Sequence, residues 1–136
     1  MKVLRWVLGA LVLAYAGLCG LMAGLNVLHK LDRLTTVPAE MQRMVPLWEA
    51  TPWWHLAVWG LTALLLLVSA WRLFTGGKAL GVFVLAIAMD IATWWIMHKL
   101  PAYQTVFTKA ELTYDYYTIG ALVLVALLIG ATERGR

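Results

Sequence analysis

The sequence predicts an all-α integral membrane protein: a bundle of four transmembrane helices with a short interfacial amphipathic helix in the first outer loop. Three observations lead there. Of 136 residues, 62% are hydrophobic and 13% are charged, against roughly 25% charged in an average soluble domain. Mean hydropathy is +0.78. The apolar residues also gather into four long runs, at 6–28, 56–71, 79–97 and 116–131. This composition excludes disorder and a small water-exposed globule. Eleven glycines and one cysteine exclude collagen-like and disulfide-rich chains.

A membrane-spanning helix needs about 20 apolar residues at about 1.5 Å each. The runs are continuous, which favours helices over the alternating strands of a barrel. The first, broken only by Asn26, predicts a helix over 5–29. Lys2, Arg5 and the small-x-small triplet Ala14-Tyr15-Ala16 have the form of a signal peptide. The apolar run continues well past Ala16, so a retained helix is expected. The second span is expected over 54–73, lengthened into the interface by Trp53 and Trp54. Phe74-Thr75-Gly76-Gly77-Lys78 reads as a tight hairpin, which makes the second and third spans antiparallel neighbours. The third is expected over 78–99 and the fourth over 115–132, extended by Tyr114. All four form a single transmembrane domain, 1–136.

The first outer loop is long and patterned. Pro38 suits a first helical turn and Glu40 suits its dipole. Met41, Met44, Val45 and Trp48 follow at i, i+3, i+4 and i+7, an apolar stripe expected to lie on the membrane surface over 37–48. Pro46 should kink or end it. The second outer loop, 99–115, has no strong pattern.

Charge gives the orientation. Lys2, Arg5, Arg72, Lys78, Arg134 and Arg136 against Glu133 leave one side at +5. On the other side five bases (Lys30, Arg33, Arg43, Lys99, Lys109) balance five acids (Asp32, Glu40, Glu49, Glu111, Asp115), and Asp90 brings the chain to +4. Short connections rich in Lys and Arg stay in the cytoplasm, so both termini should be cytoplasmic. The bases are dispersed anchors without a cluster, so no nucleic-acid partner is expected.

Asp90 stands out, inside the third span. A charged Asp at the bilayer centre costs roughly 2.5–3.5 kcal/mol, so it should face the bundle. By depth, Tyr15, Cys19, Gly60 and Thr62 are its nearest potential neighbours. It could be a proton or cation relay, a ligand contact, or a carboxyl hydrogen-bonded between helices; the lack of a basic partner at that depth favours the last. His29, His55 and His98 all fall at the outer interface. Imidazoles from different helices at one height are what a haem or metal site needs, but no ligand spacing lies on one helix. No metal site is therefore expected.

Of eight tryptophans, Trp48, Trp53, Trp54, Trp59, Trp94 and Trp95 lie toward the outer side. An aromatic belt explains them; a groove for a quinone, pigment or lipid tail is the alternative. In the first helix Ala16, Gly20 and Gly24 recur every fourth residue, a ridge that lets helices approach closely. The buried thiol of Cys19 reads as inert packing.

The long outer loop with Pro38, the stretch AVWGLTALLLLVSAWR at 57–72 and the short Gly turn after it resemble small four-helix DoxX-like bacterial membrane proteins. The resemblance covers the first two-thirds of the chain. It implies a bacterial inner membrane and a family in which some members are small subunits of redox complexes. It carries over no active-site motif.

No nucleotide-binding, hydrolase, metalloprotease or CxxC motif is present, and the loops are too short for an independent catalytic domain. The leading expectation is a non-enzymatic accessory subunit of a larger membrane complex of the respiratory or photosynthetic kind. Its partners would be the lipid bilayer and other membrane subunits, or a second copy through the first helix. The alternatives are a small transporter or ion-conducting oligomer using Asp90, and a membrane redox protein holding haem or quinone.

Overall fold

A computed structural model describes residues 1–135. It is all-helical. Helix α1 spans Lys2–Lys30. A 3-10 segment, Ala39–Met44, leads directly into α2, Val45–Ala50. Then come α3 (Trp53–Thr75), α4 (Leu80–His98), α5 (Pro101–Val106) and α6 (Lys109–Arg134). Among the described residues, α1, α3, α4 and α6 are long and apolar enough to cross a membrane. Both termini and the turn after α3 share one end of the bundle, here the terminal end. The long connections, with α2 and α5, form the loop end.

The seam of α1 explains its packing. Its buried positions include Leu8, Val12, Ala16, Cys19, Ala23 and Asn26, spaced by three or four. Helix α3 answers with Leu56, Ala63, Leu66, Ala70 and Leu73. That spacing keeps one stripe facing a neighbour, and its alanines let the backbones approach. The ridge Ala16-Gly20-Gly24 only partly coincides with it. A spacing of four overshoots one turn by about 40° each step, so the ridge winds off the interface. Ala16 is buried, a Cβ on Gly20 would sit 4.0 Å from Ala63 Cβ, and one on Gly24 would meet nothing.

As the hairpin predicts, α3 and α4 pack together; α6 completes the ring against α4 and α1. It does so sparsely, burying only Leu122, Ile129 and Thr132.

The terminal end is locked by two charged side chains. Helix α3 ends in a glycine turn: Gly76 has φ 81° and Gly77 N–H donates to Arg72 O at 2.7 Å. The left-handed conformation favours Gly there. Arg5, reaching from α1, donates to Gly77 O at 2.5 Å, Arg72 O at 3.2 Å and Leu73 O at 3.4 Å. From α6, Glu133 Oε1 accepts the N–H groups of Ala79 at 2.6 Å and Leu80 at 3.0 Å. A cation thus sits on the C-terminal carbonyls of α3 and an anion on the N-terminal donors of α4, each matching the local helix dipole. Gly9 adds a close approach, since a Cβ there would fall 2.7 Å from the Phe74 ring.

At the loop end α1 closes on a similar turn without glycine. Arg33 N–H donates to Leu28 O at 2.9 Å, with Asp32 at φ 53°. Asp is among the few side-chain-bearing residues that tolerate this region. Three features differ from the sequence expectation. Pro46 stands in the first turn of α2, so it begins a helix instead of ending one. The second loop contains α5, opened by Pro101. Helix α6 starts six residues before the expected boundary of 115, at a capping box: Thr108 Oγ1 accepts from Glu111 N–H, and the Glu111 carboxylate accepts from Thr108 N–H.

Candidate functional site

The sparse contact of α6 leaves a cavity of about 350 Å³ in the loop-end half of the bundle. Residues of α1, α3, α4 and α6 form its walls. Met44, Leu47, Trp48 and Thr51 from the first connection, with Tyr103 and Phe107 from the second, close its top. Two residues of the Met41–Trp48 stripe, Met44 and Trp48, therefore turn into the bundle, and Trp48 is only 2% exposed.

One face of α1 runs the length of the cavity. Tyr15, Cys19, Met22 and Asn26 line it, spaced to repeat on one side of a helix. The eleven residue steps from Tyr15 to Asn26 rise about 16 Å. Polar groups cluster toward both ends, with apolar surface between.

Toward the middle of the bundle, Tyr15 Oη donates to Asp90 Oδ2 at 2.5 Å. Tyr15, one of the four neighbours expected by depth, thus supplies Asp90 with a hydroxyl from α1. Thr62 does not join this pair: it is fully buried and its hydroxyl returns to Val58 O at 3.0 Å. Thr93, also lining the cavity, bonds back to Met89 O and Asp90 O. Such local back-bonding satisfies the hydroxyl without adding an interhelical contact.

A second polar group lies nearer the loop end. Asp115 Oδ2 accepts from Trp94 Nε1 at 2.9 Å and from Tyr103 Oη at 2.6 Å, tying α4, α5 and α6 together. Burial and the adjacent Asp115 carboxylate hold the Tyr103 phenol well above its usual range. Two further lining residues carry unpartnered atoms. Among the described residues, Asn26 Oδ1 and His55 Nδ1 have no hydrogen-bond partner, although Asn26 is 1% and His55 3% exposed. A buried polar atom left unpaired costs about 1–3 kcal/mol. Both residues line the same cavity, but these two atoms are turned away from its open space, each with almost no accessible surface.

The three histidines separate. His55 faces the cavity. His29 packs on Trp48 with ring centroids 5.5 Å apart and lies 3.7 Å from Glu49. His98 stacks on Trp94 at 5.2 Å and meets Tyr103 edge-on. Among the described residues no group of three His, Cys, Asp or Glu is arranged to hold a metal ion. The tryptophans separate as well. Trp48, Trp59 and Trp94 line the cavity, whereas Trp53, Trp54 and Trp95 are more than half exposed.

Sequence reasoning missed Asp115, Asn26, Thr51 and Tyr103. Asp115 stood among the balanced loop charges, and Asn26 was only a break in an apolar run. The available signal was the face Tyr15-Cys19-Met22-Asn26, which places Asn26 on the side of α1 that carries Tyr15. No protein-family model, curated protein or solved structure matches this chain.

Proposed function

We propose that the chain is an integral membrane protein that binds a small, largely apolar molecule in the loop-end cavity. The observation that carries this reading is the space of about 350 Å³ between α1, α3, α4 and α6, walled mostly by apolar side chains with Asp90 and Asp115 among them. Small-molecule sites typically occupy about 300–1,000 Å³, mostly apolar with a few convergent polar groups. Asp90 with Tyr15, and Asp115 with Trp94 and Tyr103, supply those groups here. The charge asymmetry supports cytoplasmic termini in a bacterial inner membrane, which would open the cavity toward the outer side.

The test is to purify the protein from its native membrane in mild detergent, extract it with solvent and identify retained molecules by mass spectrometry. A stoichiometric apolar molecule is expected, and Met22→Trp, which fills the middle of the cavity, should abolish its retention. A parent protein that is empty after gentle extraction, and whose tryptophan fluorescence responds to no added amphiphile, would overturn the reading.

A second reading, an accessory subunit of a larger membrane complex, is favoured by a different surface. Gly17, Gly20, Gly24 and Gly60 line an apolar groove on the outside of α1 and α3, the kind of small-residue surface on which membrane helices pack. Co-purifying subunits at fixed ratio would support it; a protein that always isolates alone would remove it.

A further inference from the structure

The chemistry of the cavity wall narrows the class of molecule, and this step rests on the binding reading above. Two carboxylates, Asp90 and Asp115, line the cavity, and among the described lining residues there is no Lys or Arg. Two bases at the loop end, Arg43 and Lys30, are engaged elsewhere. Arg43 pairs with Glu111 at 2.7 Å, and Lys30 lies over the Trp53 ring at 5.7 Å while reaching Glu49 O.

On the two acids the atoms left open are acceptors. In both carboxylates it is Oδ2 that takes the protein's donors, from Tyr15 in one case and from Trp94 and Tyr103 in the other. Among the described residues, neither Oδ1 has a hydrogen bond. A neutral diketone such as a quinone would bring more acceptors to this wall. A donor or a positive charge would complement it.

The remaining surface suits a positive charge on an apolar body. The rings of Trp48, Trp59, Trp94 and Tyr103 stand around the cavity, and aromatic faces attract cations most strongly where water is excluded. We propose that the bound molecule is a lipophilic organic cation, an ammonium-type centre on an aromatic or aliphatic body, held between the Asp90 and Asp115 carboxylates and the tryptophan rings.

Charge selectivity tests this. The full chain in nanodiscs of zwitterionic phosphatidylcholine is titrated with benzyltrimethylammonium and with its neutral carbon isostere, neopentylbenzene. Quenching of tryptophan fluorescence is followed, with empty nanodiscs subtracted. The cation is expected to bind at least about tenfold more tightly than the isostere. Asp90→Asn and Asp115→Asn keep a carbonyl acceptor for their tyrosine and tryptophan donors. Each should cost the cation about tenfold or more and leave the isostere within about twofold. Equal or tighter binding of the isostere by the parent protein would overturn the cation assignment while leaving the binding reading in place. Failure of both probes to bind would overturn both. The parent-protein comparison decides the matter even where an Asn variant does not fold.

Discussion

Glu133 lies near the end of α6, yet it performs the capping that α4 lacks within its own sequence. Ala79 precedes α4 and has no side chain able to accept a hydrogen bond, so the first N–H groups of that helix depend on a carboxylate from another helix. Hydrogen bonds to a charged group contribute about 1.5–3 kcal/mol. Glu133→Ala is expected to lower unfolding stability in mild detergent by about 2–3 kcal/mol, and Glu133→Gln, which keeps an acceptor, by about half of that. An unchanged melting profile for Glu133→Ala would show that water caps α4 equally well. Tyr103 gives a pH-dependent counterpart. Its phenol is held above the ordinary value near 10 in the folded protein by burial and by Asp115. The unfolded chain releases that proton first, so the contribution is fully present below about pH 10 and is lost as pH rises through the folded value. Between pH 7 and about 9.5 the stability difference between parent and Tyr103→Phe should stay constant. Above about pH 10 the parent should lose stability relative to the variant. A difference that stays flat to pH 11.5 would contradict it.

At the scale of elements, the loop end depends on short-range signals. Thr108 and Glu111 form a capping box that starts α6, and Arg43 from the 3-10 segment pairs with the same Glu111 carboxylate. Removing the cap by Thr108→Ala should cost about 0.5–2 kcal/mol, seen as faster amide exchange over 109–115 with the remainder of α6 unchanged. Arg43→Gln, which removes only a solvent-exposed pair, should cost no more than about 1 kcal/mol. The same elements mark what was legible in the sequence. The four long helices follow from the length of the apolar runs, and the α3–α4 hairpin from Gly76 and Gly77. Asp90 was singled out because a lone acid in an apolar helix needs a partner, and Tyr15 was among its few neighbours by depth. The start of α6 was written in Thr108-Lys109-Ala110-Glu111, but that short polar signal carries little weight beside a run of apolar residues. The cavity was not legible. It arises because α6 buries few residues, which is a matter of how two helix faces meet and not of what either face contains. Asp115 could not be recognised as a lining residue without that geometry, since an acid near a helix start is ordinarily solvated.

For the whole molecule, the sidedness of charge and the position of the cavity make a joint prediction. The terminal end carries six bases against one acid, and the loop end five against five. Two of the terminal-end charges, Arg5 and Glu133, are also structural, bound to backbone groups of the α3–α4 turn. They are of opposite sign, so setting them aside leaves five bases and no acid, and the asymmetry does not depend on them. The positive-inside rule predicts that this end stays in the cytoplasm. In a bacterial host, a green fluorescent protein fused after Arg136 should therefore fluoresce, and alkaline phosphatase fused at the same place should be inactive. Phosphatase fused within the 31–38 connection of a chain truncated there should be active. The reverse pattern would place the loop end in the cytoplasm. The cavity is closed over by α2 and α5 and has its deepest polar pair, Tyr15 and Asp90, toward the middle of the bundle. With cytoplasmic termini, the proposed ligand would reach this cavity from the outer side, with Asp90 at its inner limit. The terminal-end half beyond it is filled by Leu8, Leu66, Leu73, Phe83 and Ile129, each no more than 1% exposed. Under the proposed binding reading that plug predicts a one-sided receptor, since passage to the terminal end would require repacking of five fully buried side chains. Vesicles containing the protein alone should accordingly bind a ligand from the outer face without accumulating it.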